Sequence, residues 1–380
     1  MTKNNLIIKD IKESISRNTE EIKELKKSRK PKLLRPEIKT SKSTISIRKA
    51  YISPEFTNKT VLTDSTWRYV EILLKSKSNK EALNYWKQAE NFFLATQNLD
   101  IISKPLTSYY CLLNATKTLL TFKNIKFGMK HGVSGKRIPG RTHIQNELIS
   151  LKPRGVLSGL IDYFEELKPQ NNETYNLKDI LYNLEYIHRA YLMTFSNQSE
   201  LFIPVDEIRF VHDKHRKEGW LEVTLESQYS NQGTMKKITG FSKDRYYDNN
   251  DIYIIRRNKT FYWEASHNAP NAKSLSSFKK YYLNNRKKFR YIYSPNKLWY
   301  IKRSNLTNGI IDRNTLVLTF AAMHRLSEMS RYDPNALEKH LSSGSGWLLT
   351  EFITKSSVQF IDMISSEITG DDFRVTGFRS

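Results

Sequence analysis

Cysteine is almost absent: Cys111 is the only one in 380 residues. That excludes an intrachain disulfide framework and a zinc site built on several cysteines. No run of about 18 uncharged apolar residues occurs, so no membrane-spanning helix and no membrane partner are expected. The N-terminus lacks the apolar stretch of a secretory signal, and cytoplasmic residence is the resulting expectation. No Gly-x-Ser-x-Gly elbow and no P-loop pattern is present, so neither a serine-hydrolase nor a Walker-type nucleotide site is expected. Cofactor and metal are both expected to be none. Acidic residues are also scarce, 39 against 62 Lys and Arg, which leaves a net charge of +23.

The positive surplus is concentrated. Residues 1–49 hold 15 basic and 6 acidic side chains, and residues 235–303 hold 17 and 4. Those two segments carry surpluses of 9 and 13, nearly all of the +23. Two basic patches on an otherwise neutral body have the form of a footprint for a polyanion.

Four regions follow from composition and periodicity. In region 1–60, residues 5–27 carry Leu6, Ile7, Ile11, Ile15, Ile22 and Leu25 at rough helical spacing. A Ser/Thr-, Pro- and Lys-rich stretch to Lys49 then reads as a flexible basic arm. Region 61–199 is helical. Asp64-Ser65-Thr66 can cap a helix through Trp67 and Leu73, a second helix spans about Asn79 to Thr96, and Pro105 opens a strongly apolar third. A glycine-bearing loop, Met129 to Arg137, follows, and 176–195 reads as one more helix. Region 200–303 consists of short β-branched and aromatic runs separated by Asn, Asp, Gly and Lys, which predicts strands and turns. Region 304–380 returns to helix, through Thr315 to Met329 and Trp347 to Ile364. The expected fold class is α+β: a helical core interrupted by a basic β-rich insertion.

Three segments carry a resemblance: Pro105 to Leu120, the loop His131-Gly132-Val133-Ser134 with its basic continuation, and Ser330-Arg331-Tyr332-Asp333-Pro334. Together with Trp347 to Phe352 they resemble the YaaC-like family of bacterial proteins over about residues 64–195 and 314–368. The family implies a fold more than an activity. A helix with Tyr109-Tyr110 before an apolar run, then Lys130-His131-Gly132-Val133, more distantly resembles the front half of a HEPN domain. HEPN domains are helical bundles, many of them metal-independent ribonucleases of toxin and antiphage systems. Their signature is an Arg with a His four to six residues later. The nearest pair here is Arg331 and His340, eight residues between, with Pro334 inside the gap.

Metal-free RNA cleavage needs a base at the 2′-hydroxyl and a cation for the charge that develops on phosphorus. His131, Arg137, Arg331 and His340 are the candidate catalytic residues, provided the fold brings them together. Two plainer readings stay open: His131 anchoring its loop, and Arg331 pairing with Asp333 at a helix end. His212 and His215 lack further metal ligands, and His143, His188, His267 and His324 carry no motif. The phosphate-gripping candidates are Lys136 and Arg141 near the loop, and Lys243, Arg245, Arg256, Arg257, Lys279, Lys280, Arg286, Lys287, Lys288 and Arg290 in the β-rich region. There, 15 aromatics lie among the 17 basic residues, a pattern that also suits stacking on bases. The expectation is a nucleic-acid-engaging protein, RNA before DNA, with ribonuclease activity as toxin or antiphage effector. A non-catalytic nucleic-acid or protein-binding regulator, a nucleotide-type ligand sensor through the His131 loop, and a homo-oligomer formed through the helical core or the N-terminal helix remain as alternatives.

Overall fold

The structure, a computed structural model, describes residues 34–40, 43–58, 60–140, 142–247, 253–266, 269–294 and 298–375. The helix expected at 5–27, the first part of the basic arm and Arg141 lie outside them.

Three helices begin the core: α1 (Thr66–Ser76), α2 (Lys80–Gln97) and α3 (Lys104–Phe122). The Ser65 side chain accepts from Arg68 N and starts α1, and Pro105 sits in the first turn of α3, where its missing N–H costs nothing. Helix α3 is apolar nearly all round because it packs against helices on several sides. Next, β1 (Val133–Arg137), β2 (Glu147–Leu151) and β3 (Glu173–Asn176) form a small antiparallel sheet, with α4 (Val156–Tyr163) between β2 and β3. The segment expected as a glycine-bearing loop is therefore in part a strand. The single helix expected at 176–195 is instead α5 (Leu177–Tyr182), a 3-10 turn and α6 (His188–Thr194).

Most of the β-rich region's strands form one seven-stranded antiparallel sheet, and Ala265–Ser266 and Ala269–Pro270 pair separately. The sheet's strands are β4 (Phe202–Asp213), β5 (Glu218–Leu225), β6 (Phe241–Lys243), β7 (Ile254–Arg257), β8 (Phe261–Tyr262), β9 (Phe289–Ile292) and β10 (Leu298–Lys302). The order is β9-β10-β4-β5-β7-β6, with β8 also pairing β5. One helix, α7 (Ala272–Arg286), covers the sheet through Phe278, Tyr281 and Tyr282. The chain then returns to the helical core with α8 (Thr315–Tyr332), α9 (Pro334–Leu341) and α10 (Gly346–Thr369). Helices α8 and α10 both pack on α3, so the core closes around a helix laid down some 200 residues earlier in the sequence.

The basic arm is not a free tail where it is described. Ile38, Ile45 and Ile47 are buried in the core of the large sheet, and Glu37 and Ser46 bridge to Val211 and Arg209 of β4. Arg35, Arg48 and Lys49 are consumed internally, while Lys39 is exposed. Arg35 pairs with Glu222 and Asp244, and Lys49 Nζ lies 2.7 Å from the buried Asp362 carboxylate. The isoleucines explain the difference: three of them within ten residues supply enough apolar area to order the segment.

Candidate active site

His131 is held by backbone. Gly132 has φ +81° and Gly155 φ +124°, and a Cβ on Gly155 would stand 2.5 Å from Gly132 N. Only glycine permits that approach. It lets Val156 N donate to Lys130 O at 2.8 Å and Leu157 N to His131 O at 3.1 Å, which pins the loop to the start of α4. The glycines thus serve contact between two backbone segments.

The His131 imidazole hydrogen-bonds through Nδ1 to the Tyr109 hydroxyl. The Tyr109 ring meets the His324 ring edge-on at 4.9 Å, and the His131 and His324 rings are 5.5 Å apart. Tyr110, the neighbour on α3, takes a hydrogen bond from Arg331 Nη2 at 3.1 Å. Arg331 is exposed and donates otherwise to the Tyr332 hydroxyl. Among the described residues it pairs with no carboxylate, because Asp333 is taken by Arg137 Nη1 at 3.0 Å. His131 and Arg331 are therefore joined through the adjacent Tyr109 and Tyr110. His324 and Arg331, seven residues apart on α8, lie on one helix face.

The electrostatics are positive. Burial, with the charges of Lys117 and Arg331, holds His131 below the ordinary histidine pKa, so it is neutral at neutral pH. His324 is pushed down to about 3, by burial first and then by His131, Arg325, Arg331 and Lys152. Its Nδ1 makes no hydrogen bond and lies 3.8 Å from Glu328. Burial raises the Tyr109 hydroxyl far above its usual range, so it keeps its proton. Two neutral imidazoles beside an unpaired guanidinium suit proton transfer at a phosphodiester.

His340 and Arg137 belong elsewhere. His340 is 0% exposed, and its Nε2 is 2.8 Å from Glu147 Oε1. Glu147 also accepts from Arg137 Nε at 2.6 Å and Arg325 Nη2 at 2.6 Å. Burial works against that carboxylate's charge, but the hydrogen bonds from His340, Arg325 and Arg137 overcome it and hold its pKa at about 2. This cluster ties β2, α8 and α9 together, and a fully buried imidazole cannot meet a 2′-hydroxyl. Sequence reasoning missed His324. The available signal was its seven-residue spacing from Arg331, which puts both on one face of α8.

The phosphate-gripping candidates divide. Arg286 is buried and donates to the carbonyls of Arg48, Lys49 and Phe289 at 2.7–2.8 Å, with its guanidinium 3.7 Å from the Tyr51 ring centre. Arg257 is buried and donates to Gly240 O at 2.7 Å, and Arg290 is buried as well. All three correct a surface reading; Arg286 and Arg257 serve as internal fasteners, since a planar guanidinium can satisfy several carbonyls at once. Arg256 is half-buried over Trp220, and Lys288 is half-buried. Lys136, Lys243, Arg245, Lys279, Lys280 and Lys287 are exposed. On and just beyond α7, Lys273, Lys280 and Lys287 recur every seven residues and make a basic stripe with Lys279. Most aromatics of this region fill the sheet's core, while Tyr246 is exposed. His212 and His215 sit at the β4–β5 turn, and no metal-binding cluster occurs among the described residues. Cys111 is buried, and burial raises its thiol pKa, which fits a core side chain.

The family model described as YaaC-like Protein matches residues 18–368. No curated protein and no solved structure matches the chain. The match runs through the large sheet and the described arm, so it is not confined to 64–195 and 314–368 as the sequence motifs suggested. No helix among the described residues is long and apolar enough to cross a membrane.

Proposed function

The chain belongs to the YaaC-like protein family, and from that premise we propose that it engages RNA and cleaves it without a metal at the site around His131 and Arg331. One observation carries the reading: Arg331 is exposed, without a carboxylate partner, and linked through Tyr110 and Tyr109 to a histidine that is neutral at neutral pH. A structural arginine at a helix end would be expected to take the nearby Asp333, and here it does not.

The chemistry is of the HEPN type. In the tautomer with its proton on Nδ1, His131 donates to the Tyr109 oxygen and leaves Nε2 as the base. Nε2 takes the proton of the 2′-hydroxyl, the 2′-oxygen attacks the neighbouring phosphorus, and the bond from phosphorus to the 5′-oxygen breaks. The products are a 2′,3′-cyclic phosphate and a 5′-hydroxyl, and the imidazolium proton returns to the departing oxygen directly or through water. Arg331 bears the charge on the non-bridging oxygens. Lys117 and Lys152 add to the positive field, and the stripe along α7 offers contacts for the strand beyond the site.

The test is incubation of the purified full chain with cellular RNA and single-stranded DNA in a chelator, beside Arg331→Ala and His131→Ala. Cleavage of RNA alone, abolished by both substitutions with folding intact, is the expected result. Salt-sensitive binding without cleavage would replace the nuclease with a nucleic-acid-binding regulator. Neither binding nor cleavage would remove nucleic acid from the proposal.

A further inference from the structure

A cavity lined by none of the residues around His131 lies where the helical core meets the large sheet. It has a volume of about 420 Å³ and is walled in part by Tyr51, Phe164, Tyr175, Arg290, Asp312 and Arg313. That size is within the ordinary range for a small-molecule pocket.

Its charged groups are of two kinds. Some are already satisfied. Arg313 donates to Leu167 O at 2.7 Å and to Glu173 at 2.5 Å, and Glu166 accepts from Asn314 N at 2.7 Å. Others are not. Arg290 is only 4% exposed, yet its contacts are two carbonyls, Lys287 O at 2.6 Å and Phe289 O at 3.3 Å, both reached through Nη1. Its Nε and Nη2 make no protein hydrogen bond, and no carboxylate contacts it among the described residues. A buried cation in that condition is expensive unless something pairs with it. Lys302 sits behind it, donating to Ile311 O at 2.6 Å, and burial together with the Arg290 charge lowers its pKa to about 7. Burial opposes the Arg290 charge, but Tyr51 and the carboxylates of Glu185, Asp312 and Glu166 outweigh it and hold the guanidinium charged, so what Arg290 lacks is a partner in hydrogen-bond contact with Nε and Nη2. The Asp312 and Glu165 carboxylates also line the cavity and make no hydrogen bond or ion pair among the described residues. Lys287 is exposed at its edge.

We propose that this cavity binds a small molecule bearing an anionic group and N–H donors, the anion meeting Arg290 and Lys287 and the donors meeting Asp312 and Glu165. Aromatic walls at Tyr51, Phe164 and Tyr175 suit a ring packed beside these groups. An amino acid with an aromatic side chain and a purine nucleoside monophosphate share that chemistry, one through a carboxylate and the other through a phosphate. The site is independent of the His131 centre, so it stands or falls separately from the ribonuclease reading.

The test is calorimetric titration of the full chain with L-tyrosine, adenosine 5′-monophosphate and inorganic phosphate. Saturable binding of one of the two organic probes, tighter than phosphate alone, is expected. Lys287→Glu and Asp312→Asn should each weaken it at least about tenfold, since each removes a charged hydrogen-bonding partner. Both side chains are exposed, so these variants test the site even if Arg290→Met fails to fold. His131→Ala and Arg331→Ala should leave the affinity unchanged, which separates this cavity from the phosphodiester site. No binding of any probe at millimolar concentration overturns the proposal, and so does binding that Lys287→Glu and Asp312→Asn leave intact or that Arg331→Ala abolishes.

Discussion

Arg331 Nη2 stands 3.1 Å from the Tyr110 hydroxyl, while Asp333, two residues further on, is bonded to Arg137. A guanidinium that could have formed a local ion pair is left facing solvent beside His131. That choice of partners makes this end of α8 a reactive candidate.

Substitution by lysine tests the shape of that group. Lysine keeps the charge but loses the planar fork that can hold two phosphate oxygens while still contacting Tyr110. If cleavage occurs, Arg331→Ala should slow it by about 10²–10³. Arg331→Lys should recover only a small part of that loss, measured as kcat/KM on a short RNA. Full recovery by lysine would reduce the arginine's role to a point charge.

The pH profile should carry the mark of His131. Burial, Lys117 and Arg331 favour its neutral form, so its folded pKa lies below the ordinary histidine value. A base works when unprotonated, so the rate should rise with pH through a midpoint below about 6.5 and then level off. Lys117→Met removes one of the depressing charges and should move that midpoint upward. An unchanged midpoint would mean another group is the base.

The basic stripe predicts a salt effect. Lys279→Glu with Lys280→Glu should weaken RNA binding and lower the salt slope by about 0.7 for each phosphate that is no longer neutralised. Binding titrations at several salt concentrations read both. Arg286→Glu should instead unfold the region, because Arg286 is buried on three carbonyls and against Tyr51. Charge count alone could not separate these two kinds of cation.

That division shows what the sequence makes legible. Helix starts at Asp64-Ser65-Thr66 and Pro105 were readable because capping and φ restriction are local effects, and the structure makes Ser65 the cap. The sheet strands were readable from their short β-branched and aromatic runs between turn residues, although α7 lay hidden among them, since Phe278, Tyr281 and Tyr282 sit in a polar, lysine-rich stretch. His131 and Arg331 stood out as residue types in suggestive places. Their link through Tyr109 and Tyr110 depends on α8 packing against α3 across some 200 residues, and no local pattern encodes that. His340 misled because a histidine's burial is not written in its neighbours. The cavity at Arg290 was invisible for the same reason: its walls come from Tyr51 just after the arm, the segment after α4, β3, β9 and the residues just before α8.

Glu147 offers the sharpest test of the internal network. It is fully buried and receives hydrogen bonds from His340, Arg325 and Arg137. Its folded pKa of about 2 lies below the ordinary glutamate value of 4.5. The unfolded chain therefore binds the proton more readily than the folded one between those values. The contribution to stability is complete above about pH 4.5 and is lost as pH falls through about 2. It is worth on the order of 3 kcal/mol by that linkage. Glu147→Gln keeps the shape but removes the buried charge between Arg325 and Arg137, leaving them only Glu328 and Asp333, and should cost about 3 kcal/mol at neutral pH. It should also flatten the acid limb of the stability curve between pH 4.5 and 2, where the wild type loses what the variant never had. Urea melts across that window measure both. An acid limb as steep in the variant as in the wild type would mean that other carboxylates carry the transition and that Glu147 is not the hub of this cluster.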